Sequence, residues 1–138
     1  YTREQLEGIL LTVARPEVTI YRSDRSKSGH TVRVRVMFRA NRDFLIALQR
    51  RFEQAEIKCI LRDREGVNRD KPVLIVGQKI SLRLLRRMMP RNIPCSHSNW
   101  EKFDIVTNYL DEGLHLEDNG MDRLIEMVAN VNEHEREE

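Results

Sequence analysis

Apolar residues recur along this chain at two different spacings, and each spacing predicts a different kind of element. Near the start, four apolar residues follow the three-to-four-residue period of a helix face: Leu6, Ile9, Leu10 and Val13. The sequence Thr-Arg-Glu-Gln at 2–5 is a capping-box pattern, which marks the beginning of such a helix. Pro16 is incompatible with a continuing helix, so it is expected to end this one.

The segments that follow alternate between apolar and polar residues, as strands do. Residues 31–40 read TVRVRVMFRA, so the valines and Phe38 fall on one side of a strand and the arginines on the other. A Ser-Lys-Ser-Gly turn at 26–29 joins this strand to one predicted at 17–25, which makes a hairpin.

Two more strands and four more helices complete the predicted order. The strands lie at 57–64, where basic and apolar residues alternate, and at 72–77, which reads PVLIVG. The helices are marked by Asn41 as a cap, by a basic segment after residue 77, by Trp100 through a closing Gly113, and by the apolar residues from Met121 onward. The order α-β-β-α-β-β-α-α-α predicts an α+β fold, with a four-stranded antiparallel sheet and helices on one face. It is interpreted as one domain over 1–132 with a charged tail at 133–138.

Charge is divided unevenly along the chain, although the formal net charge is only +2. Residues 1–91 contain 21 Lys or Arg and 10 Asp or Glu, which gives +11. Residues 92–138 contain 3 Lys or Arg and 12 Asp or Glu, which gives −9. Such asymmetry indicates a polyanionic partner for the first part of the chain.

Composition excludes several other classes of protein. The 138 residues, of which 40% are apolar, suffice for one hydrophobic core. No apolar run approaches the ~20 residues of a membrane-spanning helix, and no signal-peptide pattern begins the sequence. The two cysteines, Cys59 and Cys95, make neither a disulfide framework nor a metal site. An intracellular, cytoplasmic setting without a membrane partner is therefore expected, although the chain could be a fragment of a longer protein.

The basic sides of the predicted strands form the candidate binding surface. Same-sign charges on neighbouring strands reduce stability unless a partner neutralises them, whereas a merely solvated face would be served by mixed signs. Arginine suits both phosphate oxygens and the guanine edge, and a β-ribbon can enter the major groove of DNA. The nucleic-acid-binding residues predicted on this basis are Arg22, Arg25, Lys27, Arg33, Arg35, Arg39, Lys58, Arg62 and Arg64.

Several short segments resemble the LAGLIDADG homing endonucleases. LEGILLTVA at 6–14 is similar to the family's signature helix, although the match is degenerate. Four further stretches look like family landmarks, namely NRD at 41–43, PVLIVG at 72–77, WEKF at 100–103 and GLHL at 113–116. The resemblance spans about residues 2–132 and implies an αββαββα unit, whose saddle-shaped sheet lies over DNA in the major groove.

The resemblance also implies how the protein assembles. In the family, the signature helices of two units pack closely, and small residues allow this. Here the matching residues are Gly8, Leu11 and Thr12. A single signature occurs in this chain, so the functional unit is expected to be a homodimer on a roughly palindromic site.

Catalysis is where the sequence departs from the family pattern. Family nucleases place an acidic residue near the end of the signature helix to hold a divalent metal, and that position here is Val13, with Ala14 in place of the final glycine. An apolar side chain cannot bind Mg²⁺, which prefers oxygen ligands. The favoured interpretation is sequence-specific DNA binding without cleavage and without a cofactor. The alternatives are an active Mg²⁺-dependent endonuclease that uses Glu17, and an RNA-binding or splicing-accessory protein.

Overall fold

The structure is a computed structural model that describes residues 2–23, 29–63, 71–90 and 98–137, with side chains for 99–130 of the last segment. Its elements follow the predicted order: α1 (Arg3–Thr12), β1 (Ala14–Arg22), β2 (His30–Arg39), α2 (Arg42–Gln54), β3 (Ile60–Arg62), β4 (Val73–Val76), α3 (Lys79–Arg87), α4 (Ser98–Asp111), a 3-10 helix (Leu114–Leu116) and α5 (Gly120–Glu137). The strands form a four-stranded antiparallel sheet in the order β1-β2-β4-β3. The predicted α+β fold is therefore confirmed.

Strand β1 begins earlier than predicted, and this changes the place of Pro16. Helix α1 ends at Thr12, and the backbone is already extended from Ala14, so Pro16 lies inside β1 rather than at the helix end. Proline has no N–H to donate, but β1 is an edge strand, where this is tolerated. Glu17 is consequently a strand residue. The predicted end of this strand at residue 25 lies outside the described residues.

Strand β3 is shorter than the eight residues predicted. Among the described residues of the predicted segment, Ile60–Arg62 pair with β4, and Arg64 lies outside the described residues. Residues 57–59 are not part of the strand, and the backbone N–H of Lys58 donates instead to the Oγ of Ser81 at 2.9 Å. That bond also explains the burial of the Ser81 hydroxyl, which is 2% exposed, at the first turn of α3.

The chain forms two compact units, one of residues 1–15 with 35–93 and one of residues 16–34 with 94–138. In the first unit, the core lies between the sheet and α2. Asn41 caps α2 by accepting a hydrogen bond from the N–H of Phe44 at 2.9 Å, as predicted. The inward side chains of α2 and of the strands are fully buried, and the rings of Phe38 and Phe52 lie 5.4 Å apart.

The second unit contains a helical core built around α4 and α5. Trp100 and Phe103 pack edge to face with ring centroids 5.2 Å apart, and both are buried. Gly113 lies two residues after the end of α4 and has the left-handed conformation, with φ at 70°, which is typical of a glycine that terminates a helix. The first residue of α5 is Gly120, where a Cβ atom would overlap the carbonyl group of Leu114. The backbone of α5 stays helical to Glu137, through most of the predicted tail.

Within the described residues, none of the helices combines the length and apolar character that crossing a membrane requires.

Candidate nucleic-acid interface

Strand β2 separates apolar from basic side chains as its sequence predicts. Val36 and Phe38 are completely buried, and Phe38 meets Phe52 of α2. Because successive residues of a strand point to opposite sides, Arg35 and Arg39 lie on the side away from α2. We call this side the open face of the first unit, and it comprises Arg35, Met37 and Arg39 of β2, Val73 and Ile75 of β4, and Ile60 and Arg62 of β3.

The strand register fixes which residues of the open face are neighbours. Arg39 is opposite Val73, and Val73 is opposite Arg62, so the two arginines lie in one row across three strands. With strands ~4.8 Å apart, their backbones are separated by roughly 10 Å. Arg62 is exposed and Arg39 is half-buried. Two cations therefore share a row, with only an apolar residue between them.

The guanidinium group of Arg39 is held against the sheet and lacks a full set of hydrogen bonds. Its Nη2 lies 3.8 Å from the Sδ of Met37, which is a weak acceptor. Its Nη1 is buried and has no hydrogen-bond partner among the described residues. A buried donor without an acceptor reduces stability by about 1–3 kcal/mol, and more when the group is charged. An anion would remove that penalty if the Arg39 side chain turned so that Nη1 became accessible.

In the second unit, Arg33 of β2 pairs with Glu17 of β1. Its Nη2 lies 3.2 Å from the Oε1 of Glu17, and the two side chains are 52% and 28% exposed. The pair fixes Glu17 on the same side of the sheet as Arg33, in the middle of a strand. Glu17 is thus the ion-pair partner of a predicted DNA-binding arginine.

The remaining predicted binding residues do not all lie on the same side of the sheet or within the described residues. Arg22 is exposed at the end of β1, but strand alternation places it on the side opposite to Glu17. Lys58 is exposed just before β3. Arg25, Lys27 and Arg64 lie outside the described residues. Tyr21 was not among the predicted binding residues, although it is 48% exposed. Strand alternation from Glu17 places Tyr21 on the same side of β1 as Glu17.

Helix α1 has one buried side and one side of small residues. Leu6 and Leu10 are 1% and 0% exposed. Gly8 and Thr12 lie on the opposite side of the helix, about 180° from the buried pair at about 100° per residue. Leu11 lies next to them. Both Gly8 and Thr12 are exposed, and no described atom lies within 4 Å of the position that a Gly8 side chain would take. The Thr12 hydroxyl donates to the Gly8 carbonyl oxygen at 2.7 Å, so its hydrogen-bonding proton is used within the helix.

The end of α1 does not offer the ligands of a divalent metal. Val13 is the C-cap residue, and its side chain contains no oxygen. The carbonyl oxygens of Thr12 and Ala14 already accept hydrogen bonds from Nη1 of Arg15, at 2.9 and 3.1 Å. No group of three or more His, Cys, Asp or Glu side chains with metal-binding geometry occurs in the described part of the chain. A fixed cation at these carbonyl groups opposes a second one, so the described residues at the end of α1 do not fit Mg²⁺.

Comparison with solved structures defines the class of fold. No protein-family model matches the chain, and no curated protein matches it significantly. The homing endonuclease I-TnaI superposes with a TM-score of 0.75 at 15% identity, over 94% of this chain and 87% of that one. The archaeal intron-encoded homing endonuclease I-Vdi141I, complexed with DNA, gives 0.77 at 18%, over 95% and 82%. The chain therefore has the fold of the LAGLIDADG homing endonucleases, and the resemblance inferred from its sequence is confirmed at that level.

Other solved structures with this fold are about twice as long. The LAGLIDADG homing endonuclease I-LtrWI, bound to target DNA, matches with a TM-score of 0.72 at 17% identity, over 93% of this chain but 43% of that one. I-SmaMI, bound to an uncleaved DNA target in the presence of calcium ions, gives 0.74 at 13%, over 96% and 45%. One copy of the present chain thus corresponds to less than half of each of these proteins.

Proposed function

We propose that this protein binds duplex DNA through the arginine side of its sheet, as a homodimer formed by α1, and does not cleave it. The observation on which the proposal rests is the row of Arg39 and Arg62 on the open face, with Arg35 on the same strand as Arg39. Arginine forks bind phosphate oxygens and the guanine edge in the major groove, and strands can enter that groove. The incomplete hydrogen bonding of Arg39 further supports an anionic partner.

Homodimerisation is supported by relative length and by the exposed side of α1. Several DNA-bound structures with this fold are about twice as long as the chain, so two copies would match one of them in size. The small side of α1, with Gly8 and Thr12, would let two helices approach closely. A twofold-symmetric dimer recognises a roughly palindromic site, because each subunit binds one half of it.

Binding without cleavage is supported by the residues at the end of α1. The position that holds metal in nucleases of this family is Val13, and Arg15 occupies the neighbouring carbonyl groups. An endonuclease that uses Glu17 is the alternative, and the Glu17–Arg33 ion pair counts against it. RNA binding by the same face is the second alternative, since phosphates of structured RNA also suit arginine.

The experiment begins by selecting bound fragments from random duplex DNA. A palindromic consensus is expected. Affinity for it is then measured at several salt concentrations for the wild type, for Arg35→Ala/Arg62→Ala and for Arg50→Ala. Each lost phosphate contact reduces the slope of log K against log salt by about 0.9, so two arginines in two subunits reduce it by up to about 3.6. Arg50 is an exposed arginine of α2 and serves as the matched control.

Three results would contradict the proposal or favour an alternative. An unchanged slope for the double variant would exclude the open face as the contact surface. A discrete double-strand cut in Mg²⁺ or Mn²⁺ that Glu17→Gln removes would establish the endonuclease. Displacement of the duplex by structured RNA at much lower concentration than by competing DNA would favour the RNA-binding alternative.

A further inference from the structure

The open face has an apolar row next to its arginine row. Met37 is opposite Ile75, and Ile75 is opposite Ile60, so three apolar side chains cross the face from β2 through β4 to β3. Met37 and Ile75 are 9% and 7% exposed, whereas Ile60 is 57% exposed. Ile60 is therefore a large apolar side chain in contact with solvent, on a face otherwise bordered by cations.

The surroundings of Ile60 leave space for an incoming group. Ile60 and Ile75 line a cavity of about 780 Å³, together with Ile57, Cys59 and Gly77 and with the charged residues Glu53, Glu56 and Lys58. Gly77 follows β4 and has no side chain. A Cβ atom added at Gly77 would lie 4.0 Å from the Cβ of Arg35, so Gly77 and Arg35 are neighbours. Arg62 lies on the same side of β3 as Ile60, two residues after it. The apolar row is thus bordered by arginines on the open face, while the cavity beside it is also lined by the carboxylates of Glu53 and Glu56.

We propose that Ile60, supported by Ile75, reads the 5-methyl group of a thymine in the major groove, which rests on the proposed DNA binding by this face. The thymine methyl is the apolar group that base pairs display in the major groove, and apolar side chains recognise it by contact. The flanking cations hold the backbone, as phosphate contacts do, and supply no sequence information themselves. Ile60 then specifies thymine at one position in each half-site.

The expected effect of this contact follows from the size of a methyl group. Losing the burial of one methyl or methylene group weakens binding about fourfold. Replacing thymine by deoxyuracil removes only the 5-methyl group and retains the O4 acceptor. The substitution therefore isolates the contact from the hydrogen bonding of the base pair.

The test uses the selected duplex and the full chain. Thymines in one half-site are replaced by deoxyuracil one at a time, and affinity is measured for the wild type, Ile60→Ala and Ile80→Ala. One thymine is expected at which deoxyuracil weakens wild-type binding about fourfold and has no further effect on Ile60→Ala. Ile80, a 70% exposed isoleucine of α3, is the control and should respond as the wild type does. Because Ile60 is exposed, its alanine variant should retain the wild-type melting temperature.

The outcomes distinguish failure of the Ile60 contact from failure of the proposed DNA binding. Recovery of no duplex by the wild type would overturn both. Recovery of a duplex in which every deoxyuracil affects the wild type and Ile60→Ala equally would overturn only the role of Ile60. A selected consensus that lacks thymine in both half-sites would do the same.

Discussion

Substituting Glu17 by glutamine distinguishes a binding protein from a nuclease in one variant. Glu17 forms a 3.2 Å ion pair with Arg33 across β1 and β2, and both side chains contact solvent. Exposed pairs of this kind contribute about 0–1 kcal/mol to stability, so the amide variant should fold with nearly the wild-type melting temperature. Any large effect on DNA would then come from the changed charge of the face.

The size of the effect on binding follows from the charges involved. Removing the carboxylate leaves Arg33 available for one phosphate in each subunit. Each additional phosphate contact steepens the salt dependence by about 0.9, or about 1.8 for a homodimer. At 0.1 M salt, one such contact corresponds to up to about eightfold tighter binding, and the two contacts of a homodimer to up to about sixtyfold. The proposed function therefore predicts that Glu17→Gln binds more tightly than the wild type.

Fluorescence anisotropy of the selected duplex over a salt series would measure both affinity and slope. Glu4→Gln is the matched control, because Glu4 is exposed in the first turn of α1 and its substitution changes the net charge equally. An equal gain for Glu4→Gln would show that net charge, and not the Arg33 pair, causes the change. Unchanged binding by Glu17→Gln, together with loss of a metal-dependent cut, would refute the reasoning and identify Glu17 as catalytic.

Three other predictions concern assembly, the core and the thiol. Gly8→Leu should prevent dimerisation in analytical ultracentrifugation without lowering the melting temperature, since leucine favours the helix by up to about 1 kcal/mol and no described atom obstructs it. Phe52→Ala should reduce the free energy of unfolding in urea by about 3–5 kcal/mol, because the ring is fully buried, and a smaller loss would mean that the site collapses. Burial, with the nearby carboxylate of Glu53, raises the pKa of Cys59 from 9.0 to about 11, so stability should fall as pH rises from about 9 to 11. In a Cys95→Ser background, alkylation of the Cys59 thiol near pH 8 should be about a hundredfold slower in the folded than in the unfolded protein, and equal rates would contradict this.

The local sequence alone determined the order of elements and the sides of β2. Alternation over 31–40 separates Phe38 from Arg39 whatever the strand pairs with, because the side-chain period of a strand is a property of its own backbone. The cap at Asn41 and the left-handed Gly113 are likewise local, since each depends on residues within one turn. For that reason these predictions agree with the structure.

Only the tertiary structure decided which strands are neighbours and what each predicted site residue contacts. Glu17 lies inside β1, because this strand begins at Ala14, and it forms an ion pair with Arg33 of the neighbouring strand. Ile60 came to lie opposite Ile75 through the β3–β4 register. Such pairings join residues far apart in sequence, and hydrogen bonds between strands set them. A one-residue slip would have turned every side chain of β3 to the other face, so the apolar row beside the arginines exists only in the folded sheet.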